Sequence, residues 1–195
     1  MANRKNKNVK NKNSKRKITK FILSAIIIVI LVSSLCLFLS FIFKKDMVLS
    51  EMFFLLAGTV FTFPFSLIVA YRFKMVKVID KIVIPLFVVG SLFFSVKWAF
   101  SAAQLYLDKE AYDQKNFNVA KGIPSEVTYD GSKNGPDYID TITIDDTKIK
   151  VSNLYILEKD FNKRLMNKPL MITYLPISKY AISVDQYSGK IKADN

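Results

Sequence analysis

Ile26-Ile27-Ile28-Val29-Ile30-Leu31-Val32 sits at the centre of a run, residues 21–43, that holds no charged side chain until Lys44. As a helix this run would be about 34 Å long at about 1.5 Å per residue, enough for a hydrocarbon core of roughly 30 Å. Two more apolar runs follow, at about 52–71 and 82–106. The chain is therefore expected to hold a membrane α-helical region, 21–106, with three transmembrane helices. Residues 107–195 remain, enough chain for one small domain with a modest core.

The start of the chain fits a cytoplasmic tail. Residues 1–20 hold nine Lys or Arg, no acid and no apolar period, which predicts a disordered basic segment. A cleaved secretory leader is a poor fit, because the apolar run exceeds 7–15 residues and no small-x-small site follows it. A lipoprotein signal fails as well, since the bulky Leu35 precedes Cys36. Cys36 is the single cysteine and reads as a small apolar residue of the first span. The abundance of Lys, Asn, Ile and Phe points to an AT-rich bacterial genome.

Charge distribution sets the expected orientation. The net charge of +13 resembles that of a nucleic-acid binder. However, residues 107–195 carry 13 basic and 13 acidic side chains, so that region has no overall phosphate-seeking field and no specific nucleic acid is expected. The excess lies beside the spans. Besides the tail, residues 72–81 hold Arg72, Lys74, Lys77 and Lys81, while the connector between the first two spans holds only Lys44 and Lys45. The positive-inside rule then keeps the N-terminus in the cytoplasm and places 107–195 outside it, in a multi-pass protein of the plasma membrane.

Within the spans, Pro64 should kink the second helix. Small residues around Gly58 and Gly90 are expected to face each other and let the second and third helices approach closely. The third span is interrupted by Lys97-Trp98. Lys97 would lie about 22 Å from the inner boundary, and Glu51, descending on the second span, at nearly that height. A Glu51–Lys97 pair near the outer face is the expectation, with Trp98 as an interfacial anchor. Good helix formers from Ser101 onward predict that the third span continues as a stiff stalk to about Gln114.

The remainder reads as mainly β. Strands are expected at 125–129, 138–145, 148–152, 170–175 and 180–184, with a short helix over 159–166. The strongest hairpin has Asp146-Thr147 as its turn. Ile144 would face Ile149 and Ile142 would face Val151, with Asp145 opposite Lys148 and Thr143 opposite Lys150. Five strands and one helix in so short a stretch suggest an OB- or SH3-like curled sheet or barrel. In outline, spans followed by such a domain resemble membrane-anchored OB-fold-like modules, such as those of the NfeD type. The likeness is architectural and implies no functional residue.

Chemistry-bearing patterns are sparse. There is no histidine, the commonest general base and metal ligand. Asp130, Ser132, Asn134 and Gly135 match the opening of a calcium loop, but position twelve is Thr141 where a bidentate Glu is needed, so a hairpin loop is expected. Ser178-Lys179 are neighbours, which on a strand point to opposite faces. No catalytic residue, metal or cofactor is therefore expected. The expected role is non-enzymatic: a small outer domain presented to a protein or cell-envelope partner, with membrane lipids as surroundings and an accessory or immunity-type role. Tyr155, Tyr174 and Leu175 are the candidate contact residues. The alternative is an oligomeric transporter or channel subunit that uses Glu51 and Lys97.

Overall fold

The computed structural model describes residues 2–72, 80–131 and 137–188, with the side chains of 2–21, 71, 72 and 80 outside that description. The chain forms two compact units, Met1–Ala103 and Gln104–Asn195. The first holds α1 (Ala2–Ile42), α2 (Met47–Arg72) and most of α3 (Asp80–Asp113). Three stretches of these helices, Ile22–Ile42, Met47–Ala70 and Lys81–Asp113, are long and apolar enough to cross a membrane.

Each helix is longer than its apolar run. α1 starts at Ala2, so the basic segment expected to be disordered is helical. Lys and Arg are good helix formers, and extending an existing helix avoids the cost of nucleation. α2 starts at Met47, five residues before the expected span. Asp46 caps it: the Leu49 N–H donates to Asp46 Oδ1 at 3.0 Å. Glu51 then lies near the positive end of the helix dipole, where a carboxylate is tolerated. Both α2 and α3 run through prolines, Pro64 and Pro85.

The turn between α1 and α2 is short. Ser50 Oγ donates to the Ser40 carbonyl at 3.1 Å, and the rings of Phe43 and Phe53 stack at 5.7 Å. Deeper in, Ser33 Oγ donates to the Ala57 carbonyl at 3.0 Å. Small hydroxyl residues thus join α1 to α2, as expected where lipid provides no hydrophobic drive between helices.

The helical continuation of α3 runs to Asp113 and closes on a Schellman cap. Lys115 has φ 56, the Asn116 N–H donates to the Ala111 carbonyl, and the Lys115 N–H donates to that of Tyr112. The Lys109–Asp113 ion pair braces this last turn.

The second unit contains two three-stranded antiparallel sheets. One has the order β1 (Asn118–Gly122), β5 (Leu170–Tyr174), β6 (Ala181–Gln186). The other is β2 (Glu126–Asp130), β3 (Tyr138–Ile144), β4 (Thr147–Lys150). A short helix α4 (Glu158–Arg164) precedes β5. Among the described residues the sheets do not close into a barrel. Bulges between Thr128 and Tyr129 and between Thr173 and Tyr174 bend each sheet. The sheets and α4 share one core of Ile139, Ile142, Ile144, Ile149, Val151, Phe161, Leu170 and Ile172. Gly122 allows the closest approach of β1 to β3, because a Cβ there would lie 2.8 Å from Ile144 Cγ2.

The β3–β4 hairpin corrects the expected register. Its turn is Asp145-Asp146, with φ 46 and 60, and it pairs Ile144 with Thr147, Thr143 with Lys148 and Ile142 with Ile149. A two-residue hairpin turn of this type needs positive φ at both positions, which Asp tolerates and the β-branched Thr147 does not. The turn moves by one residue, so the pairing shifts while the isoleucines keep the inner face. β1 is an additional strand that sequence periodicity did not indicate. The Ser132–Pro136 part of the calcium-like loop lies outside the described residues.

Candidate functional site

Two places carry side chains that could act on something else: the α2–α3 seam and the outer surface of the sheet unit.

In the seam, Gly58 does not meet Gly90. A Cβ on Gly58 would lie 2.6 Å from the Trp98 ring, whereas one on Gly90 would meet nothing within 4 Å. Thr62 Oγ1 and Ser95 Oγ are 2.5 Å apart, and Ser95 Oγ also reaches the Ser91 carbonyl at 2.8 Å. The helices are thus antiparallel, with Gly58 level with Trp98 and Thr62 level with Ser95. The expected facing of two small patches is corrected to a small residue against an indole. The indole fills the space that Gly58 leaves.

This offset also separates the two membrane charges. Lys97 lies level with Gly58, and Glu51 is seven residues further along α2, about 10 Å away along the helix axis. Among the described residues no ion pair joins them. Lys97 is exposed, Glu51 is half-buried, and Trp98 is half-buried against Gly58.

Space remains between the helices below Trp98. A groove of about 380 Å³ opens between them, lined by Phe61, Thr62, Phe65, Phe87, Gly90, Ser91, Phe94 and Trp98. Phe65 and Phe87 meet edge to face at 6.4 Å across it, while Phe61 stacks on Phe65 at 5.8 Å. Gly90 makes the opening: it contributes no side chain where its neighbours contribute rings.

In the sheet unit the three candidate contact residues separate. Leu175 is fully buried and Tyr174 is 8% exposed, so both belong to the core. β5 alternates, and Leu170, Ile172 and Tyr174 are its inward positions. Tyr155 is 70% exposed. It follows a single 3-10 turn, Ser152–Leu154, and has φ 50, an unusual backbone conformation for a bulky residue. Its flanks hold it there: Leu154 and Ile156 pack on the core, and Asn153 Nδ2 donates to the Ala181 carbonyl at 2.8 Å. The Tyr155 ring stands edge-on to Tyr138 at 6.1 Å. On β2, burial first and then the Glu158 charge raise the Tyr129 phenol above its ordinary 10.0.

Sequence reasoning missed Asp108. This carboxylate is fully buried, on the face of α3 that also buries Leu105. Asp108 Oδ1 accepts the Ile177 N–H at 3.0 Å and Oδ2 accepts the Ser178 N–H at 2.6 Å. Pro176, just before them, has no N–H to offer. The carboxylate thus caps the β5–β6 loop from another element, with charge-assisted bonds that offset its desolvation. The last turns of α3 are therefore not a bare stalk. Nothing in the local sequence around Asp108 signals a partner 69 residues away. Ser178 is only 2% exposed, and Lys179 Nζ lies 5.1 Å from the centre of the Tyr174 ring, so the adjacent pair forms no nucleophile with its activator.

Among the described residues no group of three or more His, Cys, Asp or Glu could hold a metal ion. Comparison with protein-family models, with curated proteins and with solved structures finds no match to this chain, so no family accompanies the membrane architecture.

Proposed function

We propose that this is a non-enzymatic, three-span membrane protein that presents its sheet unit outside the cytoplasm to a protein or cell-envelope partner. The observation that carries this reading is Tyr155. A large aromatic residue is held in a costly left-handed conformation, with exposed surface, by two half-buried neighbours that pack on the core and by an anchoring asparagine. Backbone strain of roughly 1–3 kcal/mol persists where the surroundings over-determine it, and such sites concentrate where proteins bind. Tyrosine is also among the residues that dominate contact energies.

Sidedness rests on the basic residues. Nine in the tail and four near the second connector favour the cytoplasmic side. A reporter enzyme active only in the cytosol, fused after Asn195, should be silent; activity would overturn the sidedness. A photo-crosslinking amino acid at position 155, in intact cells, should trap a discrete partner that the same group at Lys148 does not. Absence of any position-specific adduct would overturn the interaction reading.

A further inference from the structure

We infer that the outer face of α3 around Lys97 seats a transmembrane helix of another protein, one that carries a carboxylic acid at mid-membrane depth. The seam with α2 fixes the depth of Lys97. It is level with Gly58, which lies eleven residues after Met47 and twelve before Ala70 in the second span. At about 1.5 Å per residue that is about 17 Å from either end, the middle of a hydrocarbon core roughly 30 Å thick. Lys97 is exposed at that depth. An ionisable side chain there is costly, and almost always faces a bundle interior, a water-filled cavity or an opposite charge.

The chain holds no such charge at the same depth. Among the described residues no carboxylate pairs with Lys97. The acids that precede Asp108 are Asp46, Glu51 and Asp80. Glu51 is about 10 Å from level along the helix axis, and Asp46 lies further in the same direction. Asp80 is seventeen residues earlier on α3, about 25 Å away. Asp108 is eleven residues later, about 16 Å, and its oxygens accept the Ile177 and Ser178 N–H groups. Copies arranged in a ring about the membrane normal keep every residue at its own depth. A second copy therefore brings none of these acids level with Lys97, and the partner is a different chain.

The face around Lys97 suits a packed helix. Leu86, Gly90, Phe93, Lys97 and Phe100 follow one another in steps of four, three, four and three, the spacing of a seam between two helices. Leu86, Phe93 and Phe100 are 64–72% exposed, and a Cβ on Gly90 would meet nothing within 4 Å. Ser95 and Trp98, which meet Thr62 and Gly58 of α2, lie on another side of α3. A helix can thus come close at Gly90, as small residues allow in membranes, and meet Lys97 two turns further along. An acid there would bond the lysine and match a polar group that lipid leaves unmatched.

The single tryptophan is the residue after Lys97 and serves as a fluorescence donor. Full-length protein is reconstituted in phosphatidylcholine vesicles with a polyleucine transmembrane peptide of about 20 residues that carries an acceptor dye. Energy transfer from Trp98 reports association. A Glu at the centre of the peptide keeps its depth in either orientation. That peptide should associate about tenfold more tightly than the all-leucine one, the worth of an interhelical polar contact in model peptides. Moving the Glu by about seven residues, about 10 Å, should lose the preference. Lys97→Leu should abolish it, and Lys97→Glu should transfer it to a peptide with a central Lys. Gly90→Leu should weaken association, because the added side chain holds the peptide off. Equal association of the Glu and all-leucine peptides, a preference for the displaced Glu, a preference that survives Lys97→Leu, or association unchanged in Gly90→Leu would overturn the inference. So would energy transfer to an acceptor-labelled copy of the chain that Lys97→Leu abolishes, because a second copy would then be the occupant. None of these outcomes depends on which side of the membrane the sheet unit occupies.

Discussion

The two units solve the same problem, satisfying polar groups away from water, with different chemistry. In the sheet unit a full carboxylate, Asp108, is buried and satisfied by two backbone N–H groups. In the membrane unit the contacts between helices are neutral hydroxyls, Ser33 on the Ala57 carbonyl and Thr62 on Ser95. A water-facing domain has a hydrophobic core to offset the desolvation of one charge. A bilayer offers no such drive between helices, so cheap hydroxyls that can also bond their own helix carbonyls are the affordable glue. The carboxylate therefore fixes one arrangement, whereas the hydroxyls only bias one.

Substitutions can break this contrast at four levels. The largest effect should come from the core: Phe161→Ala should cost the sheet unit about 4 kcal/mol. The loss should appear as a lower urea midpoint for the strands with unchanged helical signal. Asp108→Ala should follow at about 3 kcal/mol, since two buried donors lose a charged acceptor. Faster hydrogen exchange at the Ile177 and Ser178 amides, against unchanged exchange in β3, would identify that bond as the cause.

In the membrane unit the glycines should separate. Gly58→Ala drives a methyl into the Trp98 ring and should cost roughly 1–3 kcal/mol, whereas Gly90→Ala meets open space and should fall within about 0.5 kcal/mol of neutral. Steric trapping in bilayers measures both. If Gly90→Ala were the costlier of the two, the offset between α2 and α3 would be wrong. The smallest effect should be the Thr62–Ser95 coupling, about 0.6 kcal/mol in a double-mutant cycle. A value several times larger would mean that hydroxyl pairs lock membrane helices as firmly as Asp108 locks its loop.

What the sequence made legible follows from interaction range. The three spans are a matter of apolar length, and all three are present. The inward isoleucines of β3 and β4 are a matter of period two, and they keep their faces even where the turn moved. That move was itself local chemistry: paired aspartates accept positive φ where Thr147 does not. β1 was not legible, because Asn118-Val119-Ala120-Lys121-Gly122 has weak strand propensity and owes its state to pairing with β5. Height along a helix is another blind spot. Glu51 and Lys97 look level when each span is measured from its own boundary, but helix packing sets the relative position, and Trp98 against Gly58 fixes it elsewhere. Tyr174 and Leu175 were candidate contact residues. The alternation along β5 turns Tyr174 inward, and Leu175 is buried beside it.

The serine-pinned turn between α1 and α2 bears on biogenesis. Only Phe43, Lys44, Lys45 and Asp46 separate these helices, and Asp46 starts the second while Ser40 and Ser50 tie the ends. Such a pair can leave the translocon as one preformed hairpin before the ribosome completes α3. On the proposed sidedness, two helices then share the work of moving Lys44 and Lys45 across the lipid, and α3 arrives later, beside a scaffold that already exists.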